Sequence, residues 1–286
     1  MTDDAFDASI IRRGVAPRER GLGVGRLIRS IARQRGLVWE MARREMSDIH
    51  AGQTAGIVWL VVHPLLMFCI YAFLFTVVFK VRIGERGPSD YLIYLFSGLA
   101  PWLLTQEIIS RASHVMISNL NIVKKVMFPA EVLVAKSLLS ALLVQLVLFT
   151  CVLIYIVVAR SGISWTFALL PLLFVLHLML LWGIALILAA MTPYFRDIPE
   201  IVRVFVTVNI YLIPIMYLPN MVPEVLRIVL TLNPFSALIW CYQDVLYFGR
   251  IEHPVAWIVL PCLSLGALVA GSYVFVRLRH HFASVL

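Results

Sequence analysis

The chain has 286 residues, 61% of them hydrophobic and 14% charged, with a mean hydropathy of +0.91. Soluble domains carry about 25% charged residues, so this composition excludes an ordinary water-soluble domain and defines a polytopic membrane protein. A net charge of +8 would suit nucleic acid, but the basic residues sort by membrane side, and Cys69, Cys151, Cys241 and Cys262 are too scattered for a zinc site or a disulfide frame.

The opening "MTDDAFDASIIRRG" is acidic and then basic, and no apolar run precedes residue 49. That pattern is not a signal peptide, so the first span is expected to direct insertion. Residues 1–23 read as a flexible cytoplasmic tail. Residues 24–50 read as an amphipathic interface segment. Leu27, Ile28, Ile31 and Ala32 share one helical face, with Arg26, Arg29 and Arg33 opposite. After Gly36, Leu37, Val38, Met41 and Ile49 alternate with Glu40, Arg43, Arg44 and Glu45. Such a helix lies at the inner interface. Its cations can hold anionic headgroups, whereas the mixture with Glu40, Glu45 and Asp48 suits a protein partner.

Residues 51–286 form the expected transmembrane domain. Charge-free runs at 49–79, 91–110, 137–159, 161–195, 204–223 and 253–276 predict six helical spans, the second admitting Glu107. Arg111, four residues on, would soften the cost of Glu107 through an i,i+4 pair. Six spans place both termini on one side. If that side is cytoplasmic, it holds ten Arg within 1–48, then Arg111, Lys124, Lys125, Lys136, Arg196, Arg203, Arg277 and Arg279, eighteen of the 24 basic residues. This obeys the positive-inside rule.

One apolar stretch is too short to cross. Sixteen uncharged residues separate Arg227 from Asp244; as a helix they reach roughly 24 Å, against a hydrocarbon core of about 30 Å. Asn233-Pro234 breaks the helix near its start. Residues 219–250 are therefore expected to return to the outer side as a re-entrant pair of short helices; an interfacial pair capping the bundle is the alternative. Two inner loops, 118–136 with Lys124-Lys125 and 192–203 between Pro193 and Pro199, complete the cytoplasmic face, and Arg196, Asp197 and Glu200 in the second can pair.

No energy-converting or catalytic motif is present. None of the four lysines follows a glycine, as a P-loop requires, and H-E-x-x-H and G-x-S-x-G are absent. His63 and His177 are isolated within spans and read as hydrogen-bonded interior residues. Ion-coupled transport needs several buried ionisable groups, and Glu107 stands nearly alone. These residues favour a permease driven by a separate ATPase.

The segment "AGQTAGIVWLVVHPLLMFCIYAFLFTVVF", with Gly56, Trp59 and Pro64, is followed in order by "NLNIVKKVMFPAE", "YFRDIPEIV", "IPIMYLPNMVP" and "LNPFSALIWCYQDVLYFG". Together they resemble the membrane subunit of type-2 ABC exporters, in the branch that exports O-antigen, capsule and teichoic-acid polysaccharides, over residues 24–280. The resemblance implies a homodimeric permease of the bacterial inner membrane, bound to two copies of a nucleotide-binding subunit that hold the ATP and Mg, with no cofactor on this chain. It implies ATPase contacts at 24–49 and 118–129, hence Glu40, Arg43, Arg44, Glu45, Lys124 and Lys125, and an inner-loop motif at Arg196 and Asp197. The implied cargo is an undecaprenyl-diphosphate-linked glycan, whose exit the helices within 219–250 guard.

Weakly binding aromatic walls would suit a moving glycan. Trp59, Tyr71, Tyr211, Tyr217, Trp240 and Tyr242, with Asn233 and Pro234 at the elbow, are the candidates, although Trp and Tyr also collect at membrane interfaces. Arg43, Arg44, Lys124 and Lys125 are available for a diphosphate. The chain departs from the family pattern at Ala130–Val134 after Phe-Pro and at Gln243, where an Arg is frequent. Two rival readings are a type-2 permease for a small drug or lipid, and a membrane glycosyl- or acyltransferase.

Overall fold

The computed structural model describes residues 23–49, 58–78, 88–123, 128–160, 164–217, 222–279 and 282. Among these the regular structure is entirely helical. The amphipathic segment forms α1 (Gly23–Arg33) and α2 (Arg35–Ile49), joined almost without a break because Val38 N–H donates to the Gln34 carbonyl at 3.0 Å. Leu27 is buried on α1, while Val38 and Ala42 of α2 pack on the bundle. Of the apolar stripe expected from the sequence, Leu27 and Val38 dock, Ile31 and Met41 are half-buried, and Ile28, Ala32 and Leu37 stay exposed.

Among the described residues, four helices are long and apolar enough to cross a membrane: α4 (Pro88–Ser118), α6 (Ala130–Arg160), α7 (Leu170–Met191, preceded by a 3-10 turn at Trp165–Leu169) and α11 (Pro254–Leu278). The first expected span appears as the apolar α3 (Trp59–Phe73), extended by a π turn at Leu74–Val78. The short α5 (Leu120–Val123) follows α4.

The fifth expected span differs most from the sequence reading. Its helix, α8, begins earlier, at Ile198, and ends at Asn209; residues 210–217 leave helical geometry well before 223. Pro199 lies in the first turn, where its missing N–H costs nothing. Pro214, ahead, cannot continue a helix.

Residues 224–248 fold as two short helices, α9 (Glu224–Leu232) and α10 (Pro234–Gln243), the latter continuing as a π turn at Asp244–Phe248. The break falls at Asn233, extended at φ −70° and ψ 119°, and Pro234 opens α10. The Asn233 side chain accepts from Phe235 N at 3.0 Å and caps that helix. α10 is almost wholly buried, whereas Ile228 and Leu232 of α9 are exposed.

The broadest helix–helix contact among the described residues is between α7 and α11. A Cβ at Gly183 would fall on the Ala267 backbone, and one at Gly271 on the Gly183 carbonyl. These two glycines let the helix backbones touch, as small residues do between membrane helices. All four cysteines are unpaired.

Candidate functional site

Polar chemistry gathers at the two ends of the bundle, which α4 joins. At the end that carries α2, Glu45 points inward. Its Oε1 accepts from Arg111 Nη1 of α4 at 3.1 Å and from Ser140 Oγ of α6 at 3.0 Å, and its Oε2 pairs with Lys136 Nζ of α6 at 3.1 Å. Arg111 also donates through Nε to Glu107 at 2.5 Å, the i,i+4 pair anticipated from the sequence, and Lys136 donates to Asn119 Oδ1 at 3.2 Å. Two acids and two bases thus balance in a half-buried cluster. Beside it, Glu131 at the start of α6 accepts from Ser30 Oγ of α1 at 2.7 Å and pairs with Arg279 at 3.4 Å.

The other predicted ATPase-contact residues lie outward. Arg44 pairs with Glu40 at 3.0 Å on the open surface, and Arg43 is exposed. Lys124 and Lys125 lie outside the described residues. Arg196 and Asp197 sit exposed in the turn before α8. The expected pairing within that loop is not what forms: Glu200 takes Arg203 at 2.9 Å, because the two stand three residues apart on α8 while Arg196 precedes the helix.

At the opposite end, the irregular 210–217 backbone is held by side chains. Tyr94 shares its hydroxyl proton between the carbonyls of Pro214 (3.1 Å) and Tyr217 (3.0 Å), Tyr91 donates to Met216 O at 2.9 Å, and Gln243 Nε2 donates to Pro214 O at 2.6 Å. Asn233 Nδ2 donates to Asn209 Oδ1 at 2.7 Å, tying the elbow to the end of α8. Non-helical backbone at membrane depth is tolerated only where protein satisfies it, and α4 and α10 supply the partners. Gln243, which departs from the Arg frequent in the family pattern, is fully buried and holds a carbonyl.

Asp244, also fully buried, closes the α10 end. It accepts from His253 N at 3.1 Å, His253 Nδ1 at 2.7 Å and Trp257 Nε1 at 2.9 Å. Gly249, at φ 67°, turns the chain back so that its N–H reaches the Asp244 carbonyl at 2.9 Å. The π turn leaves the Val245 carbonyl for Thr166 Oγ1, 2.9 Å away. Deeper, Thr105 Oγ1 lies 2.9 Å from His177 Nε2, and His177 Nδ1 lies 3.3 Å from the Tyr242 hydroxyl. Thr105 spends its one proton on the Pro101 carbonyl, so His177 donates at Nε2 and accepts at Nδ1. His177 is the satisfied interior residue that its isolation suggested.

The aromatic candidates separate by burial. Tyr242 is 1% exposed, packed against Phe149 and His177. Trp240 stacks on His253, ring centroids 5.2 Å apart and nearly parallel, beside a cleft of about 430 Å³ that Glu252 and Asn233 also line. Tyr71 is half-buried, and Tyr217 donates its hydroxyl to the Tyr211 carbonyl at 2.5 Å. Trp59 and Tyr211 are exposed. Tyr91, Tyr94 and Asp244 escaped the sequence reading. The signal that could have found the tyrosines was Pro214 inside an expected span, because backbone that leaves helical geometry there needs other donors for its carbonyls.

Helices of membrane length, apolar outer faces and irregular backbone sealed by protein define a multi-pass helical membrane protein. Residues 36–247 match the family described as ABC-2 type transporter, and the chain belongs to that family. It is 28% identical over 252 residues to the O-antigen export system permease protein RfbA of Klebsiella pneumoniae, covering 86% of this chain and 93% of that one. It is 27% identical over 260 residues to the protein of the same name from Myxococcus xanthus, covering 90% and 98%.

Proposed function

We propose that this chain is the transmembrane subunit of an ATP-driven exporter that moves a lipid-linked polysaccharide across the bacterial inner membrane. The observation that carries this reading is the likeness, over 86–90% of the chain, to relatives named O-antigen export permeases. In this reading α3, and α8 together with the non-helical residues 210–217 that follow it, are the two further crossings, giving six spans with both termini cytoplasmic. Helices α1 and α2 then face a separate nucleotide-binding subunit, through Glu40, Arg43 and Arg44. Two copies of the chain enclose the pathway, and the α9–α10 pair dips in from the outer side and returns. The cargo is a glycan on an undecaprenyl diphosphate.

Depletion of the chain in its own host tests this. Full-length lipid-linked glycan should build up on the cytoplasmic side while the surface loses it. Unchanged surface glycan would move the substrate to a small amphiphile.

A further inference from the structure

Helix α4 touches both polar ends of the bundle. Near its C-terminal end, Arg111 holds Glu45 of α2. Near its N-terminal end, Tyr91 and Tyr94 hold the carbonyls of Met216, Pro214 and Tyr217. Arg111 stands seventeen positions beyond Tyr94 on the same helix, which runs through Pro101 without ending, roughly 26 Å at 1.5 Å per residue. We infer that α4 is a rod that carries displacement of α2 to the irregular 210–217 segment, and that Glu45 is the residue coupling α2 to it. This rests on the reading above, in which α1 and α2 meet the ATPase.

The way α2 is attached makes Glu45 the specific link. To α6, α2 is joined three times over, by an apolar cluster of Val38 with Val132 and Ala135, by the Glu45–Lys136 pair and by the Ser140 hydroxyl on Glu45. To α4, whose backbone α2 scarcely approaches, it is joined by the Glu45–Arg111 bond. Arg111 is 18% exposed and Glu45 21%, so the pair is shielded from the solvent screening that makes surface pairs weak. Glu107 anchors Arg111 from behind on α4 itself, so that a pull on the guanidinium acts on the helix rather than only on a flexible side chain. At the far end, the carbonyls that Tyr91 and Tyr94 hold belong to turns and bends outside any described helix. That backbone follows α4 more readily than a helix would.

The test uses the full chain in complex with its nucleotide-binding subunit, and reads amide hydrogen exchange with and without ATP. The variant is Glu45→Gln with Lys136→Gln, which removes one charge of each sign and leaves the Arg111–Glu107 pair balanced. In the unmodified complex, ATP should change exchange at 107–118, 130–141 and 210–217. In the double variant the response at 107–118 and 210–217 should be lost while 130–141, held to α2 by apolar packing, still responds. Lys136→Arg, which keeps a cation against Glu45, should retain all three. Persistence at 107–118 or 210–217 in the double variant overturns the inference. Loss at all three also overturns it, because Glu45 would then merely seat α2. A nucleotide-binding subunit that fails to bind the unmodified chain overturns the exporter reading itself, an outcome visible before any variant is made.

Discussion

Gly183 and Gly271 place the backbones of α7 and α11 in direct contact, and the carbonyl of the first occupies the space where a side chain on the second would begin. Backbone cannot rotate away as a side chain can, so even a methyl group must push the helices apart. Overpacking costs about 1–3 kcal/mol and occasionally more. Gly271→Ala and Gly183→Ala should each lower the thermal midpoint of the purified protein in detergent, whereas Gly266→Ala, where a Cβ meets nothing within 4 Å, should not.

Tyr94→Phe removes the hydroxyl shared by two carbonyls. Pro214 O keeps Gln243, but Tyr217 O loses its Tyr94 partner. A neutral hydrogen bond contributes about 0.5–1.5 kcal/mol net. The change should appear as faster amide exchange confined to 210–217, with the melting temperature little altered. Exchange unchanged in that segment would show that Tyr94 does not hold it.

Removing the Asp244 carboxylate strands three donors at once, namely the His253 N–H, the His253 ring and the Trp257 indole. A buried donor left without its acceptor costs about 1–3 kcal/mol. Asp244→Ala should lower thermal stability severely, and Asp244→Asn, which keeps an acceptor and the shape, should lower it less. Equal melting temperatures for the two would mean that the hydrogen bonds at this position carry no weight.

Glu40 and Arg44 form an exposed i,i+4 pair, and such pairs contribute roughly 0–1 kcal/mol. Glu40→Lys combined with Arg43→Glu should therefore leave membrane insertion and stability near those of the unmodified chain. Its expected effect is on assembly, as reduced co-purification of the nucleotide-binding subunit. Undiminished co-purification would remove these residues from that contact.

Periodicity and charge alone made much of this protein legible. Leu27 and Val38 announced the docking faces of α1 and α2, because apolar residues at 3.6-residue spacing share one side of a helix and leave water together. Asn233-Pro234 announced the break between α9 and α10, because proline removes a donor and restricts its neighbour wherever it stands. Glu107 and Arg111 announced their pair, being one turn apart on one helix. Contacts between distant segments are of another kind. Nothing local to Glu45 distinguishes it from Glu40, yet one faces the bundle and the other water. Gln243 proved to be a buried donor to the Pro214 carbonyl, and α8 stopped at Asn209 although the apolar run continues. Each of these was decided by which backbone or side chain another helix brought alongside. A sequence states what each segment can bury and where it must bend, whereas the partner of a buried polar group depends on helices packed more than a hundred residues apart, as Tyr94 and Pro214 are.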